Sequence, residues 1–291
     1  MSQFNPNTVA NDAGEADAVE VRDAATVMLL RDGVDGVEVC MLQRNLNSDF
    51  IGGAYVFPGG GVDPQDAGED LDGMFVGRSD KEASRQLGVE RGGLAFWVAA
   101  IRESFEEAGL LLAETSAGER ISFSDPEVAA RFEVHRSDVD SGRRRLAEIC
   151  LEEQLRLEVG NIHYFSRWVT PLGAPRRYDT RFFVAAAPEG QVALHDDAEV
   201  IATRWLTPEA ALADNEAGRI TMIFPTIRTM IALARFDSAA QVLEHAAAQG
   251  AITPMLPMMK DFGGGLRIVL PGDEEHPSGI YDAMTAQPVT D

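Results

Sequence analysis

The stretch RESFEEAG, Arg102–Gly109, sets three glutamates and an arginine directly behind the apolar run LAFWVAAI. The whole of Leu94–Ala108 reads as one helix with Gly109 as its C-cap, so one side of it must be buried. On a helix, residues three and four apart share a face. Glu103, Glu106 and Glu107 satisfy both spacings, and their directions span roughly 100°. Two carboxylates ~6 Å apart repel by about 3 kcal/mol at an effective dielectric near 20. All three also sit near a helix C-terminus, where the dipole disfavours anions. A solvated acidic face is the plainer account of such a triplet. Three features argue against it: Arg102 directly precedes the first glutamate, the helix body is almost wholly apolar, and a glycine-rich turn, FPGGG, lies upstream. A hard divalent cation such as Mg²⁺, which prefers oxygen ligands, would remove both electrostatic penalties.

The rest of the chain frames this segment. The 291 residues allow one large domain with additions, and 45% hydrophobic content is enough for a core. A formal net charge of −22 opposes nucleic acid and anionic membrane surfaces. The one basic cluster, GRRR at Gly142–Arg145, is isolated among acidic neighbours. An acidic protein handling an anionic substrate needs a divalent cation, so phosphate chemistry stays open. No apolar segment reaches the ~20 residues needed to span a bilayer. Residues 1–20 carry no apolar signal region and read as a disordered tail. Cys40 and Cys150 lie in apolar patterns and read as buried free thiols. Together these features suggest a soluble cytoplasmic protein; homodimerisation is left open.

Ala25–Leu30 and Val37–Arg44 read as a hairpin, with Val37, Val39 and Met41 on one face. Residues 64–88 form a weakly patterned insert. Residues 125–158 hold two helical stretches. Ile162–Thr170, Arg177–Ala187 and Val200–Leu206 read as strands. Thr207 and Pro208 open a further helix as N-cap and N1 residue, and additional helices occupy 220–250. The last thirty residues read as a strand and a loose tail from 271. The order of strands and helices is mixed, which predicts an α+β fold.

The segment REsfEEaGL resembles the second half of the Nudix box, and FPGGGVD resembles its opening. The family pattern is Gly, five residues, Glu, seven residues, then Arg-Glu-apolar-any-Glu-Glu-any-Gly-apolar. The resemblance implies a Nudix-type α/β/α sandwich with a mixed central sheet in a domain over 21–270. It implies Glu103, Glu106 and Glu107 as ligands of Mg²⁺ or Mn²⁺, and Arg102 as the residue that orients one of them. Gly59 and Gly60 would form the loop, with the Gly60 carbonyl facing the metal. The pattern puts the Arg fourteen positions after the first Gly, whereas Arg102 follows Gly60 by 42, a surplus of 28. An insert within the box accounts for it. Gly88 has the right spacing to Arg102, but Leu94 then stands at the Glu position. In either register the first box Glu has no clear counterpart.

A split box, together with WVTP…PRRYDTRFFVA (Trp168–Ala185) and E…RWLTPEAAL (Glu199–Leu212), is similar to the branch of CoA diphosphatases. That similarity implies metal-dependent hydrolysis of a small nucleoside-diphosphate-linked substrate. CoA or acyl-CoA would give 3′,5′-ADP and (acyl-)4′-phosphopantetheine. An ADP-ribose or NADH diphosphatase, and a non-catalytic metabolite-binding domain, are the rival readings; three repelling carboxylates argue against the last. Arg44, at a strand end, and Arg177, beside Arg176, are phosphate-binding candidates or surface residues. Asp196, Asp197 and Glu199 are candidate bases outside the box, or a solvated turn before a strand. His195 reads as a loop histidine, and Tyr178, Phe182 and Phe183 as sheet core.

Overall fold

The structure is a computed structural model that describes residues 19–46, 52–68, 71, 73–194, 199–263, 265–273, 276 and 278–289. The N-terminal segment read as a tail lies outside the described residues through residue 18, as do His195, Asp196 and Asp197.

β1 (Val21–Gly33) and β2 (Gly36–Arg44) form the expected hairpin, with Gly33 opposite Gly36. Gly36 has φ +122°, a conformation that favours glycine at this tight turn. β3 (Tyr55–Val56) pairs with the end of β2, and β4 (Gly59–Gly61) pairs with the start of β1. The chain then runs through a 3₁₀ turn (Pro64–Ala67), α1 (Asp80–Leu87) and α2 (Leu94–Ala108). A two-stranded ribbon, β5 (Ala113–Thr115) with β6 (Leu155–Leu157), brackets α3 (Pro126–Asp140) and α4 (Leu146–Glu153). β7 (Ile162–Val169), β8 (Arg177–Ala186) and β9 (Val200–Leu206) complete the main sheet. Its order is β3-β2-β1-β8-β7, with β4 also on β1 and β9 also on β2. Only β1–β8 is parallel among its pairings, so the sheet is mixed.

Side chains alternate across this sheet as period-2 geometry requires. Ala25, Val27, Leu29, Cys40 and Leu42 face the core built with α1–α4. Met28, Leu30, Val37, Val39 and Met41 face a second core. That second layer holds α5 (Pro208–Glu216), α6 (Phe224–Leu233) and α7 (Ala239–Ala248). Thr207 caps α5 by accepting from Ala210 N–H, with Pro208 behind it, as its sequence predicts. The molecule is therefore an α+β sandwich with a helical layer on each face of a mixed sheet. No helix of the described residues is long and apolar enough to cross a membrane.

Two regions carry more structure than their sequence suggests. The 64–88 stretch holds the 3₁₀ turn and α1, and Gly77 packs backbone against backbone on Gly160. Residues 258–282 contribute three strands, β10 (Met258–Asp261), β11 (Leu266–Val269) and β12 (Ile280–Asp282), in a separate sheet. Tyr281, in the part expected to be a tail, is fully buried against Phe224 in the second core.

α2 runs beneath the sheet and has the predicted bounds, closed by Gly109 at φ 68°. Trp97 is buried on it, packs at a tilt on Phe183 with ring centroids 4.6 Å apart and donates Nε1–H to Ile162 O at 2.9 Å. Its N-cap, Gly93, has no side chain, so α1 supplies the cap. Asp80 accepts from the Gly92 and Leu94 amides at 3.1 and 3.0 Å, and Ser84 Oγ accepts from Gly93 N–H at 2.9 Å. At the other end Arg136 of α3 donates to the carbonyls of Glu106 and Glu107 at 2.9 and 3.2 Å. An anion at the N-terminus and a cation at the C-terminus both complement the helix dipole. Tertiary partners thus stabilise a helix whose own last turn carries charge of the wrong sign.

Candidate metal and diphosphate site

The glycine ribbon β4 is where the two halves of the interrupted motif meet. Gly59, Gly60 and Gly61 lie opposite Thr26, Ala25 and Ala24 of β1, which aligns the ribbon against α2. Each glycine makes a different approach to the glutamate helix. Gly59 N–H donates to Glu107 Oε2 at 2.9 Å. A β-carbon on Gly60 would come within 2.6 Å of Glu103 Cδ, so only glycine lets the carboxylate sit there. Gly61 O accepts from Arg102 Nη2 at 2.9 Å.

Arg102 organises the centre. Its Nη1 donates to Glu103 Oε1 at 2.8 Å and to Glu106 Oε2 at 3.0 Å. Its Nε and Nη2 donate to the two oxygens of Asp66 at 2.9 and 3.0 Å, a bidentate pair with both side chains buried. Burial alone would lower the Arg102 pKa. The hydrogen bonds to Asp66 and the charges of Glu103, Asp66 and Glu106 outweigh it and hold the guanidinium firmly protonated.

Asp66 is the residue that the sequence reading missed. It stands six positions after Gly60, where the family pattern has its first glutamate, and is one methylene shorter. The 3₁₀ turn compensates: Asp63 N–H donates to Asp66 Oδ2 at 2.8 Å and Asp66 N–H donates to Asp63 O at 2.9 Å. Counting forward from Gly60 would have found it; expecting Glu rather than any carboxylate hid it. The interruption therefore falls between Asp66 and Arg102. Arg136, which holds the end of α2 from behind, gave no sequence signal.

The three glutamates have the electrostatics expected of donors to a cation. Burial raises Glu103, Glu106 and Glu107 above the usual carboxylate range, Glu106 to about 7. For Glu107 the neighbouring charge of Glu103 adds to burial, against the Gly59 amide and Arg44. Desolvated, mutually repelling oxygen donors beside a glycine backbone fit a hard divalent cation. Arg102 offsets only part of their charge.

Arg44 and Glu199 sit at the neighbouring end of the sheet. Arg44 lies opposite Val200, and Asn45 N–H donates to Glu199 O at 2.8 Å. Both act on Glu107, Arg44 lowering and Glu199 raising its proton affinity. Arg44 Nε is buried without a hydrogen-bond partner. Arg177 lies elsewhere. It is opposite Val21, four positions along β1 from the Gly60 partner Ala25, which is about 13 Å in a strand. Its Nε donates to Thr170 O at 3.2 Å across the β7–β8 hairpin. Phe182 and Phe183 are buried in the two cores, as expected, whereas Tyr178 is only half-buried and belongs to neither.

A second set of potential ligands, His135, Glu152 and Glu153, brings its donor atoms within 4.8 Å of one another. Arg131 holds Glu153 with two bonds at 2.6 and 3.0 Å, and Arg144 pairs with Glu152 at 2.5 Å and His135 Nδ1 at 3.3 Å. Arginines already neutralise this group, which reads as an ion-pair network between α3 and α4.

Comparison with known proteins points to the same family. The family model described as the NUDT19 Nudix domain matches residues 74–233, more than half of the chain. The chain is 26% identical over 274 residues to a human protein named acyl-coenzyme A diphosphatase NUDT19, covering 82% of this chain and 72% of that protein. The chicken protein of the same name is 26% identical over 302 residues, covering 88% and 80%. A crystal structure of a NUDIX hydrolase from Alicyclobacillus acidocaldarius superposes with a TM-score of 0.66 at 26% identity, covering 81% of this chain and 99% of that one. With the matched model spanning more than half of the chain, the glutamate helix included, and the fold shared, the chain belongs to the NUDT19 Nudix domain family of hydrolases.

Proposed function

We propose that this chain hydrolyses the diphosphate of CoA and acyl-CoA, releasing 3′,5′-ADP and 4′-phosphopantetheine or its acyl derivative. The observation that carries the reaction class is the seating of Gly60 against Glu103, with Glu106 joined to the same arginine. The substrate class rests on relatives named acyl-coenzyme A diphosphatase. Glu103, Glu106, Glu107 and the Gly60 carbonyl would hold Mg²⁺ or Mn²⁺. When bound, the cation neutralises diphosphate charge and lowers the pKa of an attacking water.

The chain's residues have separable tasks. Arg102 fixes Glu103 and Glu106 in one orientation, and the Gly59 amide fixes Glu107. Arg44, with an unpaired buried Nε beside Glu107, offers a positive charge to a substrate phosphate. Water oxygen bonds to one phosphorus and the bond from that phosphorus to the bridging oxygen breaks. The electron pair leaves with the second phosphate. A carboxylate at the site accepts the water proton, and Glu199, whose charge acts on Glu107, is the candidate outside the box. A cytoplasmic setting suits the free, buried thiols Cys40 and Cys150.

The test is incubation with Mg²⁺ or Mn²⁺ and a panel of CoA, acyl-CoA, ADP-ribose and NADH, with products separated by chromatography. Release of 3′,5′-ADP from the CoA compounds is the expected result. Turnover confined to ADP-ribose or NADH would reassign the substrate, and turnover of none would overturn the enzymatic reading.

A further inference from the structure

Behind the glutamate helix, on the side away from the carboxylates, lies an apolar groove of about 230 Å³. Its lining includes Phe105, Phe123, Ala129, Phe132, Val192 and Leu194. Phe105 is about 200° round α2 from Glu103 and from Glu107, so groove and cage flank one helix from opposite sides. Phe123 and Phe132 stack at 4.9 Å to form an aromatic floor.

The mouth of the groove is apolar as well. Val192 is 73% exposed and Leu194 53% exposed. This exposure is held in place by the segment's anchors. The Gln191 side chain accepts from Leu111 N–H at 2.9 Å and donates to Leu111 O and Ile121 O at 3.0 and 2.9 Å. Leu194 N–H donates to Ala108 O at 2.9 Å, at the very end of the glutamate helix. Two large apolar side chains are thus presented to water by a pinned backbone, which costs free energy unless something covers them.

Resting on the CoA reading above, we infer that this groove receives the acyl chain of an acyl-CoA substrate. Continuity with the cage supports that occupant over an unrelated one. Gly109, two residues after Glu107, lines the groove. So does Arg136, which donates to the carbonyls of Glu106 and Glu107 and pairs with Glu133 at 3.8 Å. The connection that carries Val192 and Leu194 leads on to Glu199, beside Arg44. Passing from one side of α2 to the other means rounding its C-terminus, a path on the order of a helix diameter, about 10 Å. The pantetheine arm is about as long as four extended residues, ~14 Å, and spans that path. Its thioester end then meets Leu194 and the acyl methylenes lie on Phe123 and Phe132. The polar diphosphate stays at the carboxylates, and the apolar tail leaves water on the far side of the same helix.

The experiment compares dodecanoyl-CoA with CoA, in the wild type and in Val192→Asp/Leu194→Asp, both surface changes compatible with folding. The ratio of kcat/KM for dodecanoyl-CoA over CoA should fall about tenfold in the variant. Ala129→Phe, which fills the groove from α3, should lower the same ratio. An unchanged ratio in both variants overturns the inference. Calorimetric binding in EDTA separates it from the reaction: dodecanoyl-CoA should bind more tightly than CoA, and the variants should lose that preference. Wild type that turns over neither compound but keeps the preference would sink the hydrolase reading and leave the groove standing. Wild type without the preference sinks the groove whatever the turnover.

Discussion

Asp66 and Arg102 face each other in a buried bidentate pair, at 2.9 and 3.0 Å, although 35 residues separate them in the chain. The pair closes an interrupted motif. It fixes the guanidinium whose remaining nitrogen holds Glu103 and Glu106. Any disturbance of Asp66 should therefore reach the carboxylates through Arg102.

Replacing Asp66 by Ala leaves Arg102 buried with two of its five hydrogen bonds gone. Removing one member of a buried pair typically costs 3–5 kcal/mol. Glu103 and Glu106 still satisfy Nη1, so a loss near the lower end, about 3 kcal/mol, is expected in denaturant melts. The metal-dependent rate should fall as well, because a guanidinium free to turn no longer fixes the two glutamates. Wild-type stability and wild-type rate in Asp66→Ala would show that the pair is incidental.

The two glycines facing the helix should respond differently to the same substitution. A β-carbon at Gly59 meets the Ala25 carbonyl oxygen at 2.6 Å and the Thr26 Cα at 2.7 Å, both backbone atoms that cannot yield cheaply. Gly59→Ala should destabilise the fold by roughly 1–3 kcal/mol, the usual cost of overpacking. At Gly60 the obstacle is a side chain, Glu103. Gly60→Ala should keep most of its melting temperature yet lose activity, as Glu103 swings out of the cage. Thermal melts and steady-state rates on both variants decide this, and equal effects on stability would contradict it.

How much of this was legible follows from the range over which each feature is determined. α2 could be read to the residue because an apolar run and a terminal glycine are local signals, and the glutamate spacing is helical geometry. Asp66 was in the sequence at the right count from Gly60, but its partner lay beyond an insert that broke the pattern. The side chains that reach the ends of α2 from other elements were not legible at all. Asp80 and Arg136 reach it from other elements, and nothing in their own neighbourhoods announces the target. The C-terminal sheet escaped for a similar reason. Its strands have four, four and three residues, and they are held by Tyr281 packing into a core built from α6. Short strands become stable through such packing, not through a pattern of their own.

Glu106→Gln separates the cage from the fold. The amide keeps the shape of the side chain and can still accept from Arg102 Nη1. The charge that a cation would need is gone. The metal-dependent rate should drop by at least about a hundredfold, with the melting temperature at neutral pH equal to or above that of the metal-free wild type. The stability comparison matters as much as the rate. A variant that loses activity by unfolding says nothing about the carboxylate, whereas an equally stable, inactive one assigns it. Wild-type activity in Glu106→Gln would remove Glu106 from the site.

The same glutamate predicts how acidity and metal should trade off. Burial lifts Glu106 from 4.5 to about 7 in the folded chain. Below pH 4.5 the group is protonated folded or unfolded, and it contributes no difference. Between 4.5 and 7 the unfolded chain releases its proton while the folded chain keeps it, so stability falls as pH rises, levelling off above 7. The full shift corresponds to about 3 kcal/mol at 1.36 kcal/mol per unit. Metal-free protein in EDTA should accordingly lose melting temperature over this window, after correction with Glu106→Gln, which lacks the titrating group. A divalent cation binds the ionised form and competes with the proton. Saturating Mg²⁺ or Mn²⁺ should then raise the melting temperature strongly at pH 8 and hardly at pH 5. A metal-induced shift of equal size at both pH values would mean that the cation binds somewhere other than these buried carboxylates.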